Sequence, residues 1–391
     1  MTPDSSLPRM PATRPPAAVS LAAFTSSVDR FGVSPLLVIL AVDFGVSLSL
    51  AVVVASIYFM TYGLSQPLWG MLSDRFGRLP LMRFALAGAV LCSVASACAP
   101  SLLFLTVARA LAGGFFGAIV PASITYVGDT SDNENRQSMM SDLMAAVAVG
   151  TAVATAASGV IGQMFSWRVV FAVSAVLALV SLIPLFRLVE PERDRTVSIS
   201  ASLRLFFTEK WALIVVALAF VEGSLVLGIL TLLAPALEFQ GVETRWAGLS
   251  VAAYGVATLV CTRLVRPLSA RLTRPRILSI GGICLTAGLG TVALHLSITT
   301  VVIAAMLLGA SWALMHTSLQ AWATQVVPSA RGMTVAFFAG ALFAGSAVSS
   351  ALAGALAEAG EWTLLFGLAT AVALLLTVVA ATAMSRYQAR H

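Results

Sequence analysis

Five ionisable residues lie inside long apolar stretches of this 391-residue chain: Asp29, Arg30, Arg109, Glu222 and His316. An ionised side chain at the centre of a membrane helix costs about 2.5–3.5 kcal/mol on insertion scales, so such residues persist mainly where they face a cavity or a partner. Carboxylates and imidazoles can take up and release protons. A guanidinium cannot, but it holds a neighbouring carboxylate ionised. The chemistry open to this set is proton exchange or the binding of a charged solute. Bond-making chemistry is not expected, because the chain has no HExxH, no GxSxG and no phosphate-binding GxxxxGK[ST]. No metal or organic cofactor is implied.

The elements that must position these residues follow from composition. The chain is 59% hydrophobic and 10% charged, with a mean hydropathy of +0.95. Soluble chains run about 45–50% apolar and about 25% charged. There are too few charges here to coat a surface in water, which excludes a soluble enzyme, a nucleic-acid binder and a disordered protein. Lipid is the solvent that fits. Apolar stretches of spanning length fall at 17–41, 48–72, 81–99, 102–127, 138–162 and 167–188, then at 211–236, 246–268, 277–296, 299–323, 332–357 and 362–384. In lipid each must satisfy its own backbone, so all twelve are expected to be helices. The four cysteines, Cys92, Cys98, Cys261 and Cys284, lack metal-ligand spacing and read as buried free thiols.

The basic residues set the orientation. Of 23 Lys and Arg residues, 19 fall at one set of alternate loops and the tails, against Arg168 and Arg245 in the opposite set; Arg30 and Arg109 lie within spans. Positive charge collects on the cytoplasmic side, so both termini are expected in the cytoplasm of a bacterial inner membrane. The net charge of +6 is thus a topology signal, with no nucleic-acid partner implied. The expected organisation is a cytoplasmic tail (1–16), a six-helix half (17–188), a charged cytoplasmic loop (189–210), a second six-helix half (211–384) and a cytoplasmic tail (385–391). In that loop, residues 203–207 have the pattern of a short amphipathic helix on the inner surface, although a plain linker is the preferred reading.

The halves repeat. At an offset of 196, Gly45 meets Gly241, Tyr58 meets Tyr254, Arg75 meets Arg271, Arg78 meets Arg274 and Gly113 meets Gly309. An even number of spans per copy makes the repeats parallel, related by an axis along the membrane normal. The fold expected is an all-α membrane protein, twelve transmembrane helices in two pseudo-symmetric halves that can rock about a midplane site.

Between spans two and three the chain reads Gly70-Met-Leu-Ser-Asp74-Arg75-Phe-Gly77-Arg78. This resembles the G-x-x-x-D-R-x-G-R signature of the major facilitator superfamily at every fixed position. Gly70 is expected to allow close helix approach and Gly77 a sharp turn. The resemblance implies that Asp74 and its Arg partners form a cytoplasmic latch between the halves. The second copy has decayed, with Arg266 for Gly70 and Ala270 for Asp74. Span four, Arg109-Ala-Leu-Ala112-Gly113, resembles the family's R-x-x-Q-G element, with Ala112 where Gln is usual. Span five carries Gly150, Thr155, Ser158, Gly159 and Gly162 and resembles the antiporter element G-x-x-x-G-P-x-x-G-G, with Thr155 in place of the proline. Its small residues should let helices pack closely.

At 1.5 Å per residue, Asp29 lies roughly 18 Å into span one, Glu222 roughly 16 Å into span seven and Arg109 roughly 11 Å into span four. The offset maps Glu222 onto Ser26, one turn before Asp29, so the two carboxylates share quasi-equivalent helix faces. The resemblance implies that the first helix of each half lines the cavity and that Arg109 serves proton coupling. Asp29 and Glu222 are therefore the expected proton-coupling or solute-binding carboxylates. Arg30 is expected to pair elsewhere or to bind an anionic solute group. His316 reads either as a proton relay or as hydrogen-bonded scaffold; with it, Ser26, Tyr58, Trp312 and Gln320 are cavity candidates. The function these readings favour is proton-coupled export of a small organic solute by a monomer, with a proton-coupled importer as alternative and a non-transporting sensor as a third class.

Overall fold

The computed structural model describes residues 14–132, 135–191 and 199–389. Among them, eleven helices are long and apolar enough to cross a membrane. A twelfth crossing, span one (17–44), is divided into Ala17–Phe31, a tight turn at Ser34–Leu36 and Leu37–Phe44. Pro35 in that turn has no N–H to donate, so the first helix cannot run on through it. The other crossings are span two (Leu48–Phe76), three (Arg78–Ala97), four (Leu102–Thr130), five (Arg136–Met164) and six (Trp167–Leu185). The second half holds span seven (Lys210–Phe239), eight (Thr244–Ser269), nine (Arg274–Leu294), ten (Ile298–Val326), eleven (Arg331–Glu358) and twelve (Trp362–Gln388).

Four spans are interrupted near mid-length, and they are the first and fourth of each half. Span one breaks after Phe31, and span four breaks between Phe116 and Ile119. Spans seven and ten each widen into a π-helical turn, at Ser224–Gly228 and Trp312–His316. The 196-residue offset carries 224–228 onto 28–32 and 312–316 onto 116–120, so the breaks themselves repeat. Such departures from regular helix leave backbone groups and side chains re-aimed, and they concentrate at functional sites.

Local chemistry sets the span ends. Spans two, four, six and ten start at Ser47, Ser101, Ser166 and Ser297, whose hydroxyls accept from backbone N–H groups of the first turn. All four caps lie at the arginine-poor face. Gly45 (φ 61°) and Gly241 (φ 83°), equivalent under the repeat, end spans one and seven in the left-handed region that glycine reaches without strain.

The halves meet along spans two and eleven and along spans five and eight. A Cβ on Gly63 would lie 2.7 Å from the Phe343 side chain, and one on Gly255 would lie 2.5 Å from the Ala152 nitrogen. Ser34 Oγ donates to Thr231 O at 2.7 Å, and the Ser56 and Ser350 hydroxyls are 2.8 Å apart. At the arginine-poor rim, Gln163 uses both ends of its amide: Nε2 donates to Glu243 at 3.1 Å and Oε1 accepts from the Arg245 backbone at 2.9 Å.

Several expectations need correction. Span two runs on to Phe76, so Gly70 and Arg75 lie on its last turns and only Gly77 (φ 107°) separates it from span three. Gly70 permits no close approach, because a Cβ there would meet nothing within 4 Å. The stretch 189–210 is not a plain linker. Residues Ile199–Thr208 form a helix whose Phe206 is buried and stacks on Phe337 of span eleven at 4.5 Å, tying the connection to the second half. Of the cysteines only Cys92 is buried; Cys98 is exposed and Cys261 and Cys284 are intermediate, and all four are free. A membrane helix places small apolar residues outward as readily as inward, since lipid accepts both.

Candidate functional site

The interrupted spans carry all five ionisable residues, and the structure sorts four of them into two pairs. In the first half, Arg109 of span four clamps Asp29 of span one. Nη1 and Nη2 each donate to a carboxylate oxygen at 2.9 Å, and Nη2 also donates to the Asp29 backbone carbonyl at 3.1 Å. Neither side chain is exposed at all. The guanidinium carbon lies 4.5 Å from the Tyr58 ring centroid and 4.8 Å from that of Phe171. This fork-on-fork geometry is the strong form of charge-assisted hydrogen bond. A Cβ on Gly113, one turn beyond Arg109, would run into the Tyr58 backbone carbonyl. Absence of a side chain there lets span four sit against span two.

In the second half, Glu222 of span seven meets His316 of span ten. His316 Nδ1 is 3.2 Å from Glu222 Oε2. Glu222 is fully buried, and its Oε1 has no hydrogen-bond partner. His316 closes its π-helical turn, and Glu222 stands two residues before the other one. The imidazole stacks on Trp312 at 3.8 Å and 11°, with Phe338 at 5.6 Å. Gly309 repeats the role of Gly113: a Cβ there would run into the backbone carbonyl of Tyr254, the equivalent of Tyr58.

Arg30 stands apart. It is 8% exposed and lies at the seam, its guanidinium 4.8 Å from the Phe31 ring, 5.2 Å from Tyr62 and 5.4 Å from Phe343 of the other half. Among the described residues its one hydrogen bond reaches Ser27 Oγ at 3.4 Å. Among the described residues no carboxylate forms an ion pair with it. The ring of Phe31, on which Arg30 lies, is 6.2 Å from that of Tyr254 of span eight.

The remaining candidates divide. Ser26 is buried and contacts Tyr62 Oη at 3.4 Å and Phe116 O at 3.3 Å. Tyr58 covers Arg109, and Trp312 covers His316. Gln320 is half-buried one turn beyond His316, with no link to either pair in the structure. In span five, a Cβ on Gly150 would lie 2.6 Å from the Phe24 carbonyl, and one on Gly159 would lie 2.7 Å from the Thr244 carbonyl. Gly162 likewise abuts Leu36, and the Ser158 hydroxyl would meet a Cβ on Gly32 at 2.9 Å. The Asp74 side chain lies outside the described residues. Arg78 Nε donates to Asp129 at 3.0 Å, and the Arg78 and Leu79 backbone N–H groups donate to Glu190 at 2.7 and 2.8 Å. These contacts join elements of the first half to one another. Sequence reasoning missed the Glu222–His316 contact and the aromatic surround of Arg30. The equivalence of spans four and ten, which places His316 on the counterpart of the Arg109 helix, was the available signal.

A family model described as Major Facilitator Superfamily matches residues 19–328 and 241–390. The chain belongs to that superfamily. Among its relatives in the superfamily, the triacylglyceride transporter of Mycolicibacterium smegmatis is 29% identical over 171 residues, 43% of this chain and 30% of the relative. The class C tetracycline resistance protein of Escherichia coli is 34% identical over 127 residues, 32% of this chain and 31% of the relative. The chain therefore spans about a third of the length of these relatives. In fold, it matches the partially occluded, inward-open xylose transporter of E. coli with a TM-score of 0.76 at 16% identity, over 93% of this chain and 95% of that one. A bacterial homologue of the lysosomal transporter Spinster matches with a TM-score of 0.74 at 16% identity, over 94% and 95%. At such identities the likeness establishes the fold alone.

Proposed function

We propose that this protein is a secondary transporter that exports a small organic solute in exchange for protons. The observation that carries this reading is the buried Glu222–His316 contact at two π-helical turns. A carboxylate and an imidazole in contact can share, hold or release a proton, because both are titratable. The titratable group in contact with Glu222 is His316 from span ten; the charged group at the same seam is Arg30 from span one, 5.4 Å from the Phe343 ring of span eleven, and span eleven meets span seven through small residues such as Gly345 and Ser346. Asp29 serves differently, since Arg109 keeps its proton for good. It braces span one against span four while the second half exchanges protons.

Alternating access then consists of rocking the halves about spans two, five, eight and eleven. The contacts at Gln163 and Ser34 support a seal at the arginine-poor face, which positive-inside topology makes the outer face. Both termini would lie in the cytoplasm, in a bacterial inner membrane, and one chain surrounded by lipid would suffice. The membrane potential supplies about 2.3 kcal/mol per charge per 100 mV, enough to drive uphill export. Similarity to a protein named for tetracycline resistance favours the outward direction. Import is the second reading, favoured by Thr155 in place of the antiporter proline and by a span five that runs unbroken from Arg136 to Met164.

Inverted membrane vesicles with an acidic interior provide the test. Solutes are added from a panel of organic acids, bases and zwitterions, and a lumenal pH dye reports proton release. Wild type is expected to release protons with at least one solute, and Glu222→Gln with none. Labelled solute that crosses the membrane without moving protons in wild type would overturn the exchange reading.

A further inference from the structure

The arginines within the spans differ in how they are satisfied. Arg109 makes three short hydrogen bonds to Asp29, and Arg83 Nη2 reaches the carbonyls of Leu185 at 2.8 Å and Leu188 at 3.4 Å. The Nε atoms of Arg30, Arg83 and Arg109 are all buried without a partner among the described residues, but the Nη groups of Arg30 make only one long contact, to Ser27 on its own helix. The aromatic faces of Phe31, Tyr62 and Phe343 stabilise its charge but take up none of its N–H groups. The edge of the guanidinium fork is left for an acceptor. Across the same seam, Glu222 has the opposite deficiency: Oε2 contacts His316, whereas Oε1 is buried without a partner. Arg30 and Glu222 form no ion pair with each other, but both reach the same stretch of span eleven: Arg30 lies 5.4 Å from the Phe343 ring, and Gly223, next to Glu222, abuts the Leu342 backbone. An unmet donor and an unmet acceptor of opposite charge thus stand at one seam where spans one, seven and eleven meet.

We infer that Arg30 and Glu222 are the two charged anchors of the solute site, and that the solute is a zwitterion. Its carboxylate takes the free edge of the Arg30 fork, its ammonium takes Glu222 Oε1, and an apolar or aromatic body packs on the rings around Arg30. A guanidinium fork matches a planar carboxylate in a way that a spherical ion cannot. A neutral solute leaves both anchors unmet, and a singly charged one leaves one unmet, which is how a site with buried polar groups discriminates. An ammonium at Glu222 also occupies the position that the exchanged proton needs, so this inference deepens the proton-exchange reading and rests on it for direction.

The test is equilibrium binding to the purified full chain in lipid nanodiscs, with no gradient applied. Two zwitterions of different charge spacing serve as probes, phenylalanine and 4-(aminomethyl)benzoate. Each is compared with its half-ligands: 2-phenylethylamine and 3-phenylpropionate for the first, benzylamine and benzoate for the second. At least one zwitterion is expected to bind about tenfold or more tightly than either of its halves, a difference of about 1.4 kcal/mol. Arg30→Gln should reduce that zwitterion to the affinity of its amine while leaving the amine unchanged, and Glu222→Gln should reduce it to the affinity of its acid. Should Arg30→Gln fail to fold, Arg30→Lys keeps the charge and loses the fork, and it should weaken only the carboxylate-bearing probes. Zwitterions no tighter than their halves, no binding by any of the six probes, or equal losses for all probes in both variants would overturn the inference. Crossed losses in binding without proton release in vesicles would sink the exchange reading and leave this one standing.

Discussion

Each half buries a carboxylate from its first span against a basic side chain from its fourth, but the two pairs are built differently. Asp29 is gripped by three hydrogen bonds from Arg109, a base that never gives up its proton in a protein. Glu222 has one contact to His316, an imidazole, and one oxygen left over. Duplication supplied the same scaffold twice, down to Gly113 and Gly309 against Tyr58 and Tyr254. In the proposed reading, divergence at the pair makes one half a brace and the other a proton carrier, so that repeated architecture need not mean repeated chemistry.

The largest effect should come from breaking the brace. Asp29→Asn leaves Arg109 charged and buried with no counter-charge, at a cost of about 3–5 kcal/mol. Unfolding of the purified protein in detergent should show that loss. The double variant Asp29→Asn, Arg109→Gln should recover most of it, because no isolated charge remains. If Asp29→Asn alone is as stable as wild type, the brace is not one.

Next comes the carrier. Glu222→Gln preserves shape and should change stability by less than about 1 kcal/mol, while solute-driven proton release falls to background. His316→Ala should slow release by about a hundredfold and leave solute binding within a few-fold, as loss of a positioned proton-transfer group does. Release unaffected by either change moves the chemistry back to Asp29.

Packing differences between equivalent positions sharpen the comparison further. Gly113→Ala and Gly309→Ala each force a methyl into a tyrosine backbone carbonyl, and each should cost about 1–3 kcal/mol. Equal losses support equal scaffolding in the two halves. Removing the span-four cap by Ser101→Ala should cost about 1 kcal/mol. Gly70→Ala should be the mildest, within about 0.5 kcal/mol, since its Cβ would meet nothing. A large loss there would show that the signature motif packs as the family resemblance implies and not as the structure has it.

Much of this was readable from residue types alone. Hydropathy locates the twelve crossings, because in lipid a span must be apolar and helical, and the repeat shows in Gly45 with Gly241 and Tyr58 with Tyr254. Midspan charges are costly, so Asp29, Arg109 and Glu222 stood out. The breaks in spans four, seven and ten were not legible. A π-helical turn at Ser224–Gly228 or Trp312–His316 carries no proline to mark it in the sequence. The Glu222–His316 contact joins residues 94 apart and was hidden as well. The helix Ile199–Thr208 was undervalued because its stability comes from Phe206 on Phe337, a tertiary contact.

The central claim, that Glu222 carries the exchanged proton while Asp29 does not, is open to one direct measurement. Infrared difference spectra of the protein in lipid, taken between acidic and alkaline buffer, report the carbonyl stretch of any carboxyl group that gains or loses a proton. Glu238, the other carboxyl of span seven with a buried oxygen, is first replaced by Gln in every variant; in that background a buried-carboxyl band is expected with Glu222 and Asp29 intact and in the Asp29→Asn, Arg109→Gln double variant, and no such band in Glu222→Gln. A band that survives Glu222→Gln and vanishes in the double variant would contradict the account and make Asp29 the carrier.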